Sequence, residues 1–159
     1  MKNFFLSIIF LFLVFPSVTF VNAEEQSLEV QETELNFFTG MFDFSDDKQA
    51  SGIIGLQHQN DDLYRKSFLG NLSPITGGFI TEKNAMYFYT GAQAEYDLGL
   101  FTITPSFAPG YYNSGDGKDL GSALEFKTEV QMSMNLSDRT EFGMSYNHIS
   151  NASLGDKNP

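Results

Sequence analysis

Apolar and polar residues alternate most clearly in residues 124–136, which read LEFKTEVQMSMNL. The even positions are apolar apart from Thr128, while the odd positions are all polar and include Glu125, Lys127 and Glu129. Successive side chains of a β-strand point to opposite faces, so this pattern predicts one apolar face and one polar face. A strand of about 13 residues is long for a soluble protein, in which strands usually have about 3–10 residues.

The same period of two recurs elsewhere in the chain. It is found around residues 35–44, 51–59, 67–82, 86–96, 101–107 and 141–147. Pro74 and Gly77-Gly78 interrupt the third of the predicted strands, and Pro105 and Pro109 weaken the fifth because proline donates no hydrogen bond to a ladder. No segment of useful length has a helical period. The sequence therefore predicts seven strands.

The connections between these strands differ in length in a way that is typical of outer-membrane barrels. The predicted connections at 97–99 and 136–138 are tight, whereas residues 113–120 form a longer polar loop. Such barrels have short turns on the periplasmic side and longer loops outside. The 113–120 loop does not follow the spacing of a calcium-binding loop, so we expect no ion there.

An all-β, antiparallel transmembrane β-barrel is the predicted fold class. Bacterial single-chain barrels have an even number of strands, so we expect eight strands in the parent fold and a barrel at 35–159 that lacks its last one. Residues 1–23 have the layout of a secretory signal peptide, with a charged start, an apolar middle and small residues at the cut. Residues 24–34 form an acidic N-terminal segment. A miscounted strand in the N-terminal half and a soluble sandwich are the alternatives.

Composition excludes several classes of function. The chain has no cysteine, which excludes disulfides and thiolate metal sites, and its only histidines are His58 and His148. Its net charge of -11 argues against nucleic-acid binding, because phosphate backbones are repelled. We therefore expect no metal site and no nucleic-acid partner. The predicted transmembrane barrel implies a multi-pass location in the outer membrane.

One predicted strand ends in two reactive side chains. His148 and Ser150 share the parity of Phe142, Met144 and Tyr146, so they lie on the apolar face. Serine is a weak nucleophile that needs an adjacent base, and histidine titrates near neutrality and can act as that base. The His-x-Ser spacing alone favours an interfacial histidine and a strand-end serine over a catalytic pair.

That longer segment, residues 141–159, reads EFGMSYNHISNASLGDKNP. It resembles the signature of the outer-membrane lipid A 3-O-deacylases, also called the acyloxyacyl hydrolase family, with a looser likeness from about Phe101 onward. The resemblance implies an eight-stranded barrel that removes a 3-hydroxyacyl chain from the lipid A of lipopolysaccharide. It implies His148 as base and Ser150 as nucleophile, with no metal or organic cofactor.

The resemblance also implies an oxyanion hole. Asn151 is the implied side-chain donor, and the backbone N–H groups of Ala152 and Ser153 are implied to assist it. Ser153 stands where the family commonly has glycine. The catalytic acid of the family is a glutamate roughly a dozen residues beyond the serine, and no acid of this chain matches it, since Asp156 is the nearest.

An orienting acid stabilises the histidine cation in such triads. We therefore expect the 159-residue chain to be inactive or barely active, and its full-length parent to be a competent esterase. The rival interpretations are a non-catalytic structural or adhesive outer-membrane barrel and a soluble periplasmic binding protein.

Overall fold

Every segment that alternates with period two forms a β-strand. The computed structural model describes residues 33–44, 50–60, 63, 65–137 and 140–155. Its strands are β1 (Thr33–Phe42), β2 (Ser51–Asn60), β3 (Arg65–Ser67), β4 (Gly70–Thr81), β5 (Met86–Ala94), β6 (Tyr96–Asp97), β7 (Thr102–Asn113), β8 (Leu124–Ser137) and β9 (Thr140–Ser150). Within these residues the seven long strands are the predicted ones, and β3 and β6 are additions of 3 and 2 residues.

Some predicted features fall outside the described residues. The signal peptide, the acidic segment up to residue 32 and residues 156–159 are among them. Thr33 and Glu34, which end the acidic segment, already belong to β1. No helix in the described part of the chain is long and apolar enough to cross a membrane.

The strands form one antiparallel sheet that follows the chain up and down. The order is β1-β2-β4-β5-β7-β8-β9, with β3 paired to β4 and β6 paired to β7. The tight connection predicted at 97–99 is confirmed, because the Leu98 N–H donates to the Phe101 carbonyl at 2.9 Å and the Gly99 N–H to Asp97 Oδ1 at 2.7 Å. This order confirms the all-β, antiparallel, barrel-like fold class.

The sheet curls so that its inner face encloses a core. Phe42 of β1 stacks on Tyr112 of β7 with ring centroids 6.0 Å apart, and Lys127 Nζ of β8 lies 4.1 Å from the ring centroid of Tyr89 of β5. Neither pair comes from neighbouring strands, so both meet across the interior. The buried apolar core consists of Ile75, Phe79, Ala85, Tyr87, Tyr89, Ala108, Tyr112, Leu120 and Ile149.

The polarity of the two faces is the reverse of that in a soluble protein. On β8, Val130 is 53% exposed and Leu136 is 62% exposed, whereas Glu125 and Lys127 are 0% and 3% exposed. Other strands bury polar side chains in the same way, among them Gln57, Gln59, Gln93, Thr104 and Ser133. An apolar outer face over an interior that holds many polar side chains is typical of transmembrane barrels.

β4 runs without a break through Pro74, Gly77 and Gly78, so the predicted interruption is wrong. Pro74 keeps its place in the register opposite Ala92. A Cβ added at Gly77 would lie 2.7 Å from Tyr89 Oη, so this glycine leaves room for a ring inside the barrel. Glycine in this strand therefore reflects close packing of the inner face rather than a turn.

Candidate active site

β9 carries the two predicted catalytic side chains on its outer face. Pairing with β8 places His148 opposite Thr128 and Ser150 opposite Phe126. The His148 side chain is exposed and Ser150 is partly exposed, on the face that alternation predicts. Among the described residues, neither the His148 ring nor the Ser150 hydroxyl has a hydrogen-bond partner. Catalytic hydrogen bonds are often long before substrate binds, so this geometry is compatible with a base and a nucleophile two residues apart.

The chain turns sharply directly after Ser150. The Leu154 N–H donates to the Asn151 carbonyl at 3.0 Å, and Ala152 and Ser153 have φ values of 52° and 64°. Two central residues with positive φ and this hydrogen bond match a type I′ turn, which favours glycine and asparagine. A left-handed residue with a Cβ costs roughly 1–2 kcal/mol. This turn gives a physical reason for glycine to be common at the position of Ser153.

The Asn151 side chain is buried beneath this turn and makes two directed hydrogen bonds. Its Nδ2 donates to the Leu120 carbonyl at 2.8 Å, and its Oδ1 accepts from the Ser153 N–H at 2.9 Å. The amide is therefore held in one orientation beside Ser150. The Ser153 N–H, which the resemblance assigns to the oxyanion, is bonded here to the asparagine.

A cavity of about 270 Å³ lies beside His148, between the end of β1 and β9. The rings of Phe44 and Tyr146 meet across it with centroids 6.1 Å apart, which brings the two edge strands together. Apolar side chains such as Phe42 and Phe79 share its walls with polar ones, including an ion pair in which Lys118 Nζ lies 2.9 Å from Asp43 Oδ2. A mixed lining of this kind fits a ligand that carries both an apolar chain and polar groups.

Comparison with known proteins decides the family. A family profile described as Lipid A 3-O-deacylase (PagL) matches residues 55–159, which is well over half of the chain. The chain belongs to the lipid A 3-O-deacylase (PagL) family. No curated protein and no solved structure gives a significant match. The resemblance found on residues 141–159 is confirmed, and it extends back into β2.

Lipid A 3-O-deacylases are ester hydrolases, and the match includes every residue to which the sequence assigned a catalytic role. The structure brings His148, Ser150 and the Asn151 turn together at one end of β9. The roles of these residues, and of Ala152 and Ser153 in the oxyanion hole, remain predictions.

Few other side chains among the described residues could form a metal site or serve as the catalytic acid. They include no group of three or more histidine, cysteine, aspartate or glutamate side chains that could hold a metal ion. Asp156, the acid nearest to Ser150 in sequence, lies outside them. Asp43 shares the cavity with His148 but is paired with Lys118.

Two parts of the site were not predicted from the sequence. His58 lies on β2, opposite Leu35 of β1 and Thr76 of β4. The Asp43–Lys118 pair and the Leu120 carbonyl were missed. Both join segments that are far apart in the chain, and no local spacing signals such contacts.

Proposed function

We propose that this protein is an esterase that removes a 3-hydroxyacyl chain from lipid A at the outer leaflet of the outer membrane. Membership of the lipid A 3-O-deacylase family supports the reaction class. The observation that carries the assignment to residues is the placement of His148 and Ser150 on the outward face of β9, directly before the buried Asn151 turn.

In the proposed mechanism, the Ser150 Oγ attacks the ester carbonyl while a ring nitrogen of His148 takes its proton. The second hydrogen of Asn151 Nδ2, whose first is donated to the Leu120 carbonyl, and the Ala152 N–H donate to the oxygen that becomes negative in the tetrahedral intermediate. His148 then returns the proton to the leaving sugar hydroxyl, which leaves an acyl group on Ser150. Water, deprotonated by His148, releases the 3-hydroxy fatty acid and restores the serine.

This chemistry needs no metal or organic cofactor, because a nucleophile, a base and hydrogen-bond donors are sufficient for ester cleavage.

The polarity of the sheet supports the membrane location. Large apolar side chains cover the outer face and would be costly to expose to water, at about 25 cal/mol per Å² of apolar surface. His148 and Ser150 lie on this face at the last residues of β9, so they would meet lipid near its boundary with water. Lipid A esters lie at this boundary, and the cavity beside His148 offers both apolar and polar groups to such an amphipathic ligand.

The proposal is tested by producing the protein in an outer membrane with intact lipid A and analysing the lipid A by mass spectrometry. We expect a slow loss of one 3-hydroxyacyl chain with the wild type, because no acid of this chain matches the family's catalytic glutamate, and no loss with His148→Ala or Ser150→Ala. His58→Ala is the matched control, because this histidine is also exposed but lies on β2, and its lipid A should match that of the wild type.

Folded wild-type protein that removes no more acyl chain than His148→Ala would contradict the proposal and favour a structural or adhesive barrel. Rapid and complete deacylation by the wild type would instead contradict the expected need for a catalytic acid. Deacylation by Ser150→Ala would refute the assignment of the nucleophile.

A further inference from the structure

The loop between β7 and β8, residues 114–123, folds onto the end of β9. The Leu120 carbonyl accepts from Asn151 Nδ2 at 2.8 Å, across 31 residues of chain. Gly155 packs so closely that an added Cβ would overlap the Gly121 carbonyl oxygen and lie 2.8 Å from Asn151 Nδ2. The loop and the turn after Ser150 are therefore in direct contact.

The position of the Leu120 carbonyl is set by the loop itself. Asp119 Oδ1 accepts from the Gly121 N–H at 2.9 Å, which is an Asx turn, and Gly121 has a φ of 87°. The Leu120 side chain is 3% exposed and belongs to the core that also contains Ile149 of β9. The buried Leu120 side chain and the Asx turn around it therefore both fix the position of Leu120.

A second set of contacts ties the other half of the loop to the turn between β4 and β5. The Asp116 N–H donates to the Lys83 carbonyl at 2.9 Å, and Asn84 Nδ2 donates to Asp116 Oδ2 at 3.2 Å. The Tyr112 hydroxyl donates to the Lys118 carbonyl at 2.6 Å. The loop is therefore supported by several neighbouring segments, so it can act as a rigid acceptor.

We propose that the 114–123 loop is a positioning element of the active site. Its Leu120 carbonyl, presented by the Asp119 Asx turn, orients the Asn151 amide and so stabilises the turn that follows Ser150. Neither Leu120 nor Asp119 needs to touch the substrate. This inference rests on the proposed function for its catalytic consequence, while the hydrogen-bonded contact can be measured without any substrate.

Asp119→Ala is the first test, with Asp119→Asn as the conservative partner. Alanine removes the acceptor of the Gly121 N–H, whereas asparagine keeps an Oδ1 at the same place. Removing an oxyanion donor entirely lowers kcat about 100- to 1,000-fold, so a loosened Asn151 should lower it about tenfold. KM should stay within about twofold, because the contact acts on the transition state only. Asp119→Asn should restore kcat.

Gly155→Ala tests the same contact from the other side. The new methyl group would push against the Gly121 carbonyl and the Asn151 amide, so kcat should fall as in Asp119→Ala. Gly40→Ala is the matched control, because its Cβ would meet nothing nearer than Ile53 at 3.8 Å. It should leave kcat and KM unchanged.

A substrate-free measurement keeps this inference separate from the proposed function. The Ser153 N–H is bonded to Asn151 Oδ1, so its hydrogen exchange in micelles, followed by NMR, reports whether the asparagine is held. Exchange should be faster in Asp119→Ala and Gly155→Ala, and unchanged in Asp119→Asn and Gly40→Ala.

Unchanged exchange in the folded Asp119→Ala and Gly155→Ala proteins would overturn the inference. An equal loss of kcat in Asp119→Asn and Asp119→Ala would also overturn it, because the charge and not the Asx turn would then matter. A wild type whose hydrolysis does not exceed that of His148→Ala would refute the proposed function, and the catalytic role of the loop with it. Faster Ser153 exchange in the variants would still support the contact.

Discussion

The buried ion pair between Lys127 and Glu129 allows a quantitative test of the inner face. Lys127 Nζ lies 3.0 Å from Glu129 Oε1, and the side chains are 3% and 11% exposed. Glu129→Leu leaves a buried ammonium without its carboxylate, and breaking a buried pair in this way costs about 3–5 kcal/mol. The Tyr89 ring, 4.1 Å from Nζ, still stabilises the cation. We therefore expect Glu129→Leu to lower the free energy of unfolding by about 3 kcal/mol, the lower end of this range. That is about a hundredfold in the folding equilibrium.

Lys127→Met separates loss of the pair from loss of one side chain. Glu129 then keeps the Ser145 hydroxyl at 3.2 Å and the Asn147 amide at 3.4 Å as donors. We therefore expect a smaller decrease in the free energy of unfolding, about 1–2 kcal/mol. In the double variant Lys127→Met/Glu129→Leu no charge remains unpaired. Its stability should return to within about 1 kcal/mol of the wild type.

Equilibrium urea unfolding of the protein in lipid vesicles measures these free energies. Tyrosine fluorescence provides the signal, because the chain contains seven tyrosines and no tryptophan. The four proteins form a double-mutant cycle, which isolates the coupling between the two side chains. Losses that simply add in the double variant would refute the reasoning, since the two groups would then not interact.

Three further predictions concern the backbone and the outer face. Ser153→Gly should raise the free energy of unfolding by about 1 kcal/mol, because Ser153 has a φ of 64°, and a lower urea midpoint would contradict this. Gly91→Ala should prevent folding or strongly lower the urea midpoint, since the added Cβ would overlap the Phe107 carbonyl oxygen. A urea midpoint equal to that of the wild type would show that β5 and β7 can separate at this point. Val130→Lys should destabilise the protein in vesicles by about 2 kcal/mol, because Val130 lies on the outer face, and an unchanged midpoint would argue that lipid does not contact this face.

Much of the fold could be predicted because alternation is a strong local signal. β8 was predicted at 124–136 and runs from Leu124 to Ser137. The interruption expected in β4 was wrong for an equally physical reason. Gly77 predicts an interruption of the strand, whereas its role is to make room for Tyr89, which comes from another strand. A glycine that a neighbouring ring requires has no local signature.

The candidate site could likewise be predicted only in part from the sequence. His148 and Ser150 could be placed on one outward face from parity alone, and the family likeness of the segment suggested their roles. The buried Asn151 amide could be named as a candidate, but its partner could not. The Leu120 carbonyl is a backbone group that every residue carries, so only its position in space makes it an acceptor for Asn151.

The sequence by itself determined the strands, the two faces of the sheet and the residues offered for acyl transfer. These follow from the order of consecutive residues, because side chains on a strand alternate whatever the strand packs against. Only the tertiary structure decided how those residues are supported. The curl of the sheet places Asp43 in the cavity beside His148, and the fold of the 114–123 loop places Leu120 on Asn151. Such contacts depend on register and curvature, which are set by packing across the barrel and not by any local pattern.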